Sequence, residues 1–392
     1  MKKIGLVMCF KHRNYGSMLQ SFALQQFFRR SNIPFECVNY EPLEKFPLSL
    51  NKIPLLFIGA ARKMKLRTIK RNLTFKYLLS KHDKQKICSR QQAFDNFSKK
   101  NFELSATFKN REELHEASLN YASVVLGSDQ VLHPINLGSH FYDLSWVDDC
   151  VAKYAYASSF GVSYIPLIQR KATKRYLSRF NRISTRELNG AKIVESVTNK
   201  LCNVCLDPTL LFTANQWNEF LNTERIIEGD YIFCYFLGKS KYTRDFANQL
   251  KKRTGKKIVA IPHLDEYIKE DNQFGDLRLY DVSPENFISL IRFASYVCTD
   301  SFHGTVFSIL NKKKFATFPR YSSKSKASAN SRILGLFDIL DLRDHFFSEN
   351  DSVEKLVNQE MNFDLCEKKI ASERESSISF LNEICQNEHI DN

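Results

Sequence analysis

A strand-to-helix junction in the C-terminal half carries side chains that could move a proton and hold an anion. The run Tyr296-Val297-Cys298-Thr299 is apolar and β-branched. It breaks into Asp300-Ser301-Phe302-His303-Gly304-Thr305 and then into a helical apolar series, Val306, Phe307, Ile309 and Leu310. Asp and Ser are good N-caps, so the spacing predicts a helix starting near Ser301. Polar side chains at such a junction lie at the carboxyl edge of a parallel sheet, where open α/β sheets bind ligands. A helix N-terminus adds free N–H groups and partial positive charge, which suit phosphate or carboxylate. An imidazole can serve as general acid or base. The plainer reading is a structural histidine beside a glycine needed for helix–strand packing.

Two further junctions of the same kind favour chemistry. Tyr121-Ala122-Ser123-Val124-Val125-Leu126 reads as a buried strand and ends in Gly127-Ser128-Asp129-Gln130. Small Gly127 and Ser128 permit close ligand approach, and Asp129 and Gln130 can hydrogen-bond hydroxyls. Lys153-Tyr154-Ala155-Tyr156-Ala157 leads in the same way into Ser158-Ser159-Phe160-Gly161. At the N-terminus, His12, Arg13 and Asn14 occupy the loop after the first strand, where a first βα turn meets ligand. That loop lacks G-x-G-x-x-G, so no dinucleotide fingerprint is expected.

The elements that must hold these residues read as two βα series. Lys3 to Cys9 is a strand, about Ser17 to Arg30 a helix, and Phe35 to Tyr40 a second strand. This is a doubly wound opening. Glu44 to Lys100 reads as a helical insertion with a basic set (Arg62, Lys63, Lys65, Arg67, Lys70, Arg71, Lys76) among apolar residues. Such a face can lie on an anionic membrane or simply cover the fold. Arg182 to Glu187 is a short strand passing into a helix. Strands follow at 231–236, 257–261 and 314–318, with helices over 243–254 and 284–293 and another beginning at Asn330. The tail from Val353 reads as a charged surface helix. The expected domains are 1–205, 206–350 and a helical tail, 351–392.

Composition narrows the class. With 392 residues, two domains are favoured, and the 43% hydrophobic content, including 32 Phe, supplies ordinary cores. No run approaches the ~20 apolar residues that span a bilayer. The chain enters a strand at once, so no signal peptide is expected. Ten scattered Cys imply reduced thiols and a cytoplasmic location. Cys202-Asn203-Val204-Cys205 stands alone, so neither a metal nor a redox role is expected. The net charge of +14 favours anionic partners. No nucleic-acid module is visible, and none is expected to bind.

Six stretches in order resemble the polysaccharide pyruvyl transferase family over nearly the whole chain. They are Asn14-Tyr15-Gly16-Ser17-Met18-Leu19-Gln20, Gly127-Ser128-Asp129-Gln130-Val131, Tyr156-Ala157-Ser158-Ser159-Phe160-Gly161, Ile183-Ser184-Thr185-Arg186-Glu187, Leu206-Asp207-Pro208-Thr209 and Thr299-Asp300-Ser301-Phe302-His303-Gly304-Thr305. The resemblance implies a glycosyltransferase-B-like architecture, two Rossmann-like domains facing a cleft. It implies transfer of a pyruvyl group from phosphoenolpyruvate to a sugar of a bacterial envelope glycan, without metal or cofactor. His303 is then the candidate general acid/base, and Asp129 the residue that orients or deprotonates the acceptor hydroxyl. Arg186 and Arg332 are candidates for bidentate contacts to the donor anion. Asn14, Tyr15, Gly16, Ser128, Gln130, Ser159, Asp300, Ser301, Gly304 and Thr305 are expected to line the substrate site.

One departure stands out. Some members of the family it resembles that act on phosphoenolpyruvate carry Arg two residues before this His, and here that place is Ser301. The contact then falls to Arg186, Arg332 or Lys239, or the donor is another anion. The acceptor is expected to be a sugar or lipid-linked glycan, with the protein at the inner membrane face. A nucleotide-sugar glycosyltransferase and a non-catalytic glycan-assembly scaffold are the competing readings.

Overall fold

The computed structural model describes residues 2–42, 80–263, 268–320 and 330–386. The basic set from Arg62 to Lys76 lies outside them, as does the predicted insertion up to residue 79.

Two all-parallel sheets form the frame. The first has seven strands: β1 (Lys3–Val7), β2 (Phe35–Tyr40), β3 (Leu104–Phe108), β4 (Tyr121–Leu126), β5 (Ala152–Ser158), β6 (Arg182–Thr185) and β7 (Asn203–Val204). Their order is β3-β2-β1-β4-β5-β6-β7. The second has β8 (Tyr231–Tyr235), β9 (Lys257–Ala260), β10 (Leu277–Arg278), β11 (Tyr296–Thr299) and β12 (Lys314–Thr317), in the order β10-β9-β8-β11-β12. Central strands such as β4 and β8 are almost wholly buried, as expected when helices cover both faces. In each sheet the strand order reverses beside its first strand, between β1 and β4 and between β8 and β11. Ligand crevices open there, outside the carboxyl ends of the strands.

Helix Tyr15–Arg30 joins the two lobes. Fourteen of its sixteen residues are buried, so it has no solvent face. Tyr15 stacks on Phe287 of the second lobe at 4.6 Å between ring centres and donates to the Val282 carbonyl at 2.9 Å. Helix Lys81–Asn101, the described end of the predicted insertion, makes a second bridge. Its Arg90 donates to the carbonyls of Tyr280, Pro262 and Leu279 at 2.8, 2.9 and 3.2 Å.

Four elements differ from expectation. Strand β3 and the helix after it, Arg111–Ser118, were not predicted. Leu104-Ser105-Ala106-Thr107-Phe108 sits at a sheet edge, where only Ser105 is fully buried, so its hydrophobic signal is weak. The two-residue β10 is likewise an exposed edge. The C-terminal tail is not a surface element. Helix Phe363–Gln386 buries Cys366, Ile370, Ser377, Phe380, Leu381, Ile384 and Cys385 along one stripe. Its Ser377 accepts from the Leu206 amide at 2.9 Å, Arg374 donates to the Leu210 carbonyl at 2.8 Å, and Glu383 pairs with Arg182 of the first sheet. Among the described residues, no helix is long and apolar enough to cross a membrane.

Candidate active site

The predicted junctions converge. His303 follows β11 in the first turn of helix Phe302–Leu310, and Ser301 is the N-cap, its hydroxyl accepting from the Gly304 amide at 3.3 Å. The imidazole is buried between the lobes. Its Nε2 lies 3.5 Å from Asp207 Oδ2 and makes no hydrogen bond as placed. On the other side, Gly16 presses on the ring: a Cβ there would lie 1.9 Å from His303 Nδ1. No side chain beyond hydrogen fits at residue 16.

Asp207 is the keystone. Its Oδ1 accepts from the Thr209 amide at 3.0 Å and hydroxyl at 2.7 Å. Its Oδ2 receives Arg186 Nη1 at 2.6 Å and the Ser128 hydroxyl at 3.4 Å. Burial pushes this carboxyl up, but His303, Arg186 and Thr209 together outweigh it and hold it far below the carboxylate range.

Arg186 spreads over three carboxylates. Besides Asp207 it reaches Asp129 Oδ1 at 3.5 Å and Glu187 Oε2 at 3.8 Å, and it lies over the Phe302 ring at 4.9 Å. Burial alone lowers an arginine's pKa, but Asp207, Asp129 and Glu187 reverse the sign, so its charge is secured. Asp129 also accepts from the Ser17 hydroxyl at 2.5 Å and faces Arg332 Nη1 at 3.9 Å. Burial raises its carboxyl, and Arg186, Arg332, His303 and Ser17 bring it below the usual value. The Asp129 backbone has φ 74° and ψ −170°, a region that glycine prefers. It is held there by the Ser159 amide on its carbonyl at 2.8 Å. The constraint aims the carboxylate at Ser17 and the arginines instead of along the strand.

Arg332, at the start of helix Asn330–Leu340, is the less satisfied cation. Burial and the neighbouring Arg186 lower its pKa to about 10. With the Gln130 amide turned to present its oxygen, Arg332 Nη2 donates to it at 2.8 Å. The Nε of Arg332 has no partner.

Several predicted site residues are committed to structure. Asn14 caps helix Tyr15–Arg30, accepting from the Gly16 and Ser17 amides at 3.0 and 3.3 Å. Tyr15 is the inter-lobe strut described above. Ser159 donates to Glu187 at 2.6 Å. Both oxygens of Asp300 accept from loop amides, Leu237 and Gly238, each at 2.7 Å. Gly304 lies against Thr299, where a Cβ would come within 2.6 Å of its hydroxyl. Thr305 bonds the Ser301 carbonyl at 3.0 Å and the Thr317 hydroxyl at 2.8 Å. Arg13 is paired with Asp95 at 2.9 Å. Ser17, Glu187 and Asp207 belong to the cluster without having been assigned a role from sequence. Each sits inside a quoted motif, which was the available signal. Among the described residues, no group of His, Cys, Asp and Glu could hold a metal ion.

Two consequences can be measured. Gly16→Ala forces the His303 ring or the helix to move. Overpacking of this kind costs about 1–3 kcal/mol, so the thermal midpoint falls, and a second substitution, His303→Ala, restores part of it. The pH dependence has a definite sign. The carboxyls of Asp129 and Asp207 are held in the folded state below the ordinary aspartate range. Their stabilisation is therefore complete above the unfolded carboxylate pKa and is lost as pH falls through the folded values. Calorimetry should show the midpoint dropping below about pH 4, with a flatter acid limb in Asp207→Asn.

The paired parallel sheets with their carboxyl edges opposed define a glycosyltransferase-B-like α/β fold. The sequence model of the polysaccharide pyruvyl transferase family matches residues 14–322, and the chain belongs to that family of transferases. Among solved structures it is similar to Methanocaldococcus jannaschii UDP-GlcNAc 2-epimerase in complex with UDP-GlcNAc and UDP, at TM-score 0.48 and 11% identity, over 99% of this chain and 100% of that one. Phytolacca americana UGT2 complexed with UDP-2fluoro-glucose and pterostilbene matches at TM-score 0.44 and 11% identity, over 99% and 100%. The E. coli ADP-heptose lps heptosyltransferase II matches at 0.36 and 11%, over 95% and 99%. Likeness at such identity concerns fold and not activity. Comparison with curated proteins finds no significant match.

Proposed function

We propose that the protein moves a pyruvyl group from phosphoenolpyruvate to two hydroxyls of a sugar in a bacterial envelope glycan, forming a ketal and releasing phosphate. The observation that supports this best is the imidazole of His303, held between Asp207 and Gly16 where the carboxyl edges of the two sheets meet. With Nε2 turned to Asp207, Nδ1 is the nitrogen left to exchange a proton. A histidine at 3.5 Å from its carboxylate is oriented by attraction, and such contacts tighten when substrate is bound.

The bond changes balance as follows. A proton from His303 goes to the methylene carbon of phosphoenolpyruvate, making it methyl and leaving the adjacent carbon electron-poor. One sugar hydroxyl bonds to that carbon and returns its proton to His303. The bond from carbon to the phosphate oxygen breaks, and phosphate leaves with the electron pair. The second hydroxyl closes the ketal, and its proton goes to the departing phosphate.

Asp129 orients a hydroxyl better than it deprotonates one. Its charge is held by two guanidinium groups, and a carboxylate so stabilised is a weak base. Arg186 is already shared among Asp207, Asp129 and Glu187, so its work is to keep the frame charged and rigid. Arg332, whose ion pair among the described residues is the long one to Asp129 at 3.9 Å, is the better contact for the donor anion. It takes over what an arginine two residues before the histidine does in some members, since Ser301 is spent as a helix cap.

Thermal-shift titration tests the donor. Phosphoenolpyruvate should raise the midpoint of the wild-type protein, and Arg332→Ala should weaken that response by about tenfold or more in apparent Kd. Stabilisation by a nucleotide sugar, with no response to phosphoenolpyruvate, would reject the donor and favour glycosyl transfer.

A further inference from the structure

The face beside the site carries an apolar edge with a basic field behind it. The loop after β5 leaves the cluster at Ser159 and Gly161, where a Cβ on Gly161 would touch Gln130. It then exposes Tyr164 (60%), Leu167 (85%) and Ile168 (62%). Leu188 (62%) is added from the neighbouring helix, Leu188–Thr198, whose Asn189 donates to the Val162 carbonyl at 3.1 Å. Leu188 follows directly on Arg186 and Glu187 of the site. Helix Leu167–Leu177 buries Gln169, Thr173 and Leu177, so its outer face is free of core duty. That face bears Arg170, Lys171, Lys174 and Arg175, all exposed, and the helix contains no acidic residue. Among the described residues none of the four is in an ion pair. Arg170 donates only to the Ser196 carbonyl, at 2.6 Å.

We propose that this face docks on an anionic membrane and sets the site mouth against the lipid surface. The idea rests on the reading of a lipid-linked acceptor, but its test does not. Clustered aliphatic side chains bordered by cations fit the boundary between headgroups and acyl chains. A nucleic acid would match the charge but would leave Leu167 and Ile168 in water. A second copy of the chain would set one basic field against another. Because Leu167, Ile168 and Leu188 lie at the starts of their helices, on the edge of the sheet that carries Ser159 and Arg186, insertion brings the membrane to the catalytic side of the lobe.

The test is co-sedimentation of the full chain with vesicles of phosphatidylcholine alone or with added phosphatidylglycerol, over a range of salt. Binding should need the anionic lipid and weaken as salt rises. Lys171→Glu with Lys174→Glu, and separately Leu167→Ser with Ile168→Ser, should each cut partitioning about tenfold or more. Their thermal midpoints should match the wild type, because the residues are exposed. Binding by both variants at wild-type strength would overturn the proposal and move the contact elsewhere, to the basic residues between Arg62 and Lys76 for instance. So would failure of the wild type to bind anionic vesicles. Retention on single-stranded RNA that the same substitutions abolish, with no vesicle binding, would assign the face to nucleic acid and overturn it too. Vesicle binding without pyruvyl transfer to any sugar would leave this proposal standing and reject the catalytic reading instead.

Discussion

His303→Asn is expected to lower the rate of pyruvyl transfer by roughly 10²–10⁴-fold, the range for loss of a positioned proton-transfer group. Asparagine keeps a polar side chain in the pocket between Asp207 and Gly16, but it cannot give or take a proton at neutral pH. Donor affinity should change little, because Arg332 and not the imidazole is assigned to the anion. The combination separates chemistry from binding: kcat collapses, while the thermal shift with phosphoenolpyruvate persists. A variant retaining a tenth or more of the wild-type kcat would remove His303 from the mechanism.

Asp207→Ala should produce the largest loss of stability of any single change at the site. Its side chain has no exposure, and it is the nearest counter-charge to Arg186. Removing one partner of a buried pair leaves the other uncompensated, at a cost of about 3–5 kcal/mol. The Thr209 amide and hydroxyl and the Ser128 hydroxyl also lose an acceptor. Asp207→Asn, nearly the same in shape, should lose less stability. It should still lower kcat, because a neutral amide attracts a protonated imidazole weakly and Arg186 can pull away toward Asp129 and Glu187. Denaturant unfolding of the two variants, with kcat measured beside it, separates the two contributions. Equal stability of Asp207→Ala and wild type would contradict the placement of this carboxylate as a keystone.

The legible parts of the sequence were those with an abrupt change of type. The step from the strand-forming run Tyr296–Thr299 to Asp300 and Ser301 placed both the strand and the capped helix within about a residue. The junctions at Asp129, Ser159 and Arg186 were visible for the same reason, and all come to one edge. What could not be read was partnership. Asp207 sits before a proline at the end of a short strand, and nothing local shows that it faces an imidazole from the other lobe. Gly16 reads as part of a motif, yet its reason is the ring of His303 against its Cα. The positive φ of Asp129 is imposed by the Ser159 amide, a contact made through the tertiary fold. Ser301 was legible as a helix cap and is one; what the sequence could not show is that Arg332, from a helix further along the chain, comes near Asp129. Strand β3 escaped because it is an edge with little burial; the C-terminal helix was legible as a helix, but its burial was not, because its apolar stripe lies among charges.

The most direct test is mass spectrometry of sugars incubated with the purified protein and phosphoenolpyruvate, using nitrophenyl glycosides and lipid-linked acceptors. The mechanism predicts one acceptor gaining a ketal-linked pyruvate, with an equal amount of phosphate released and neither product formed by His303→Asn. Acceptors that stay unmodified with phosphoenolpyruvate but gain a sugar from a nucleotide sugar would contradict it.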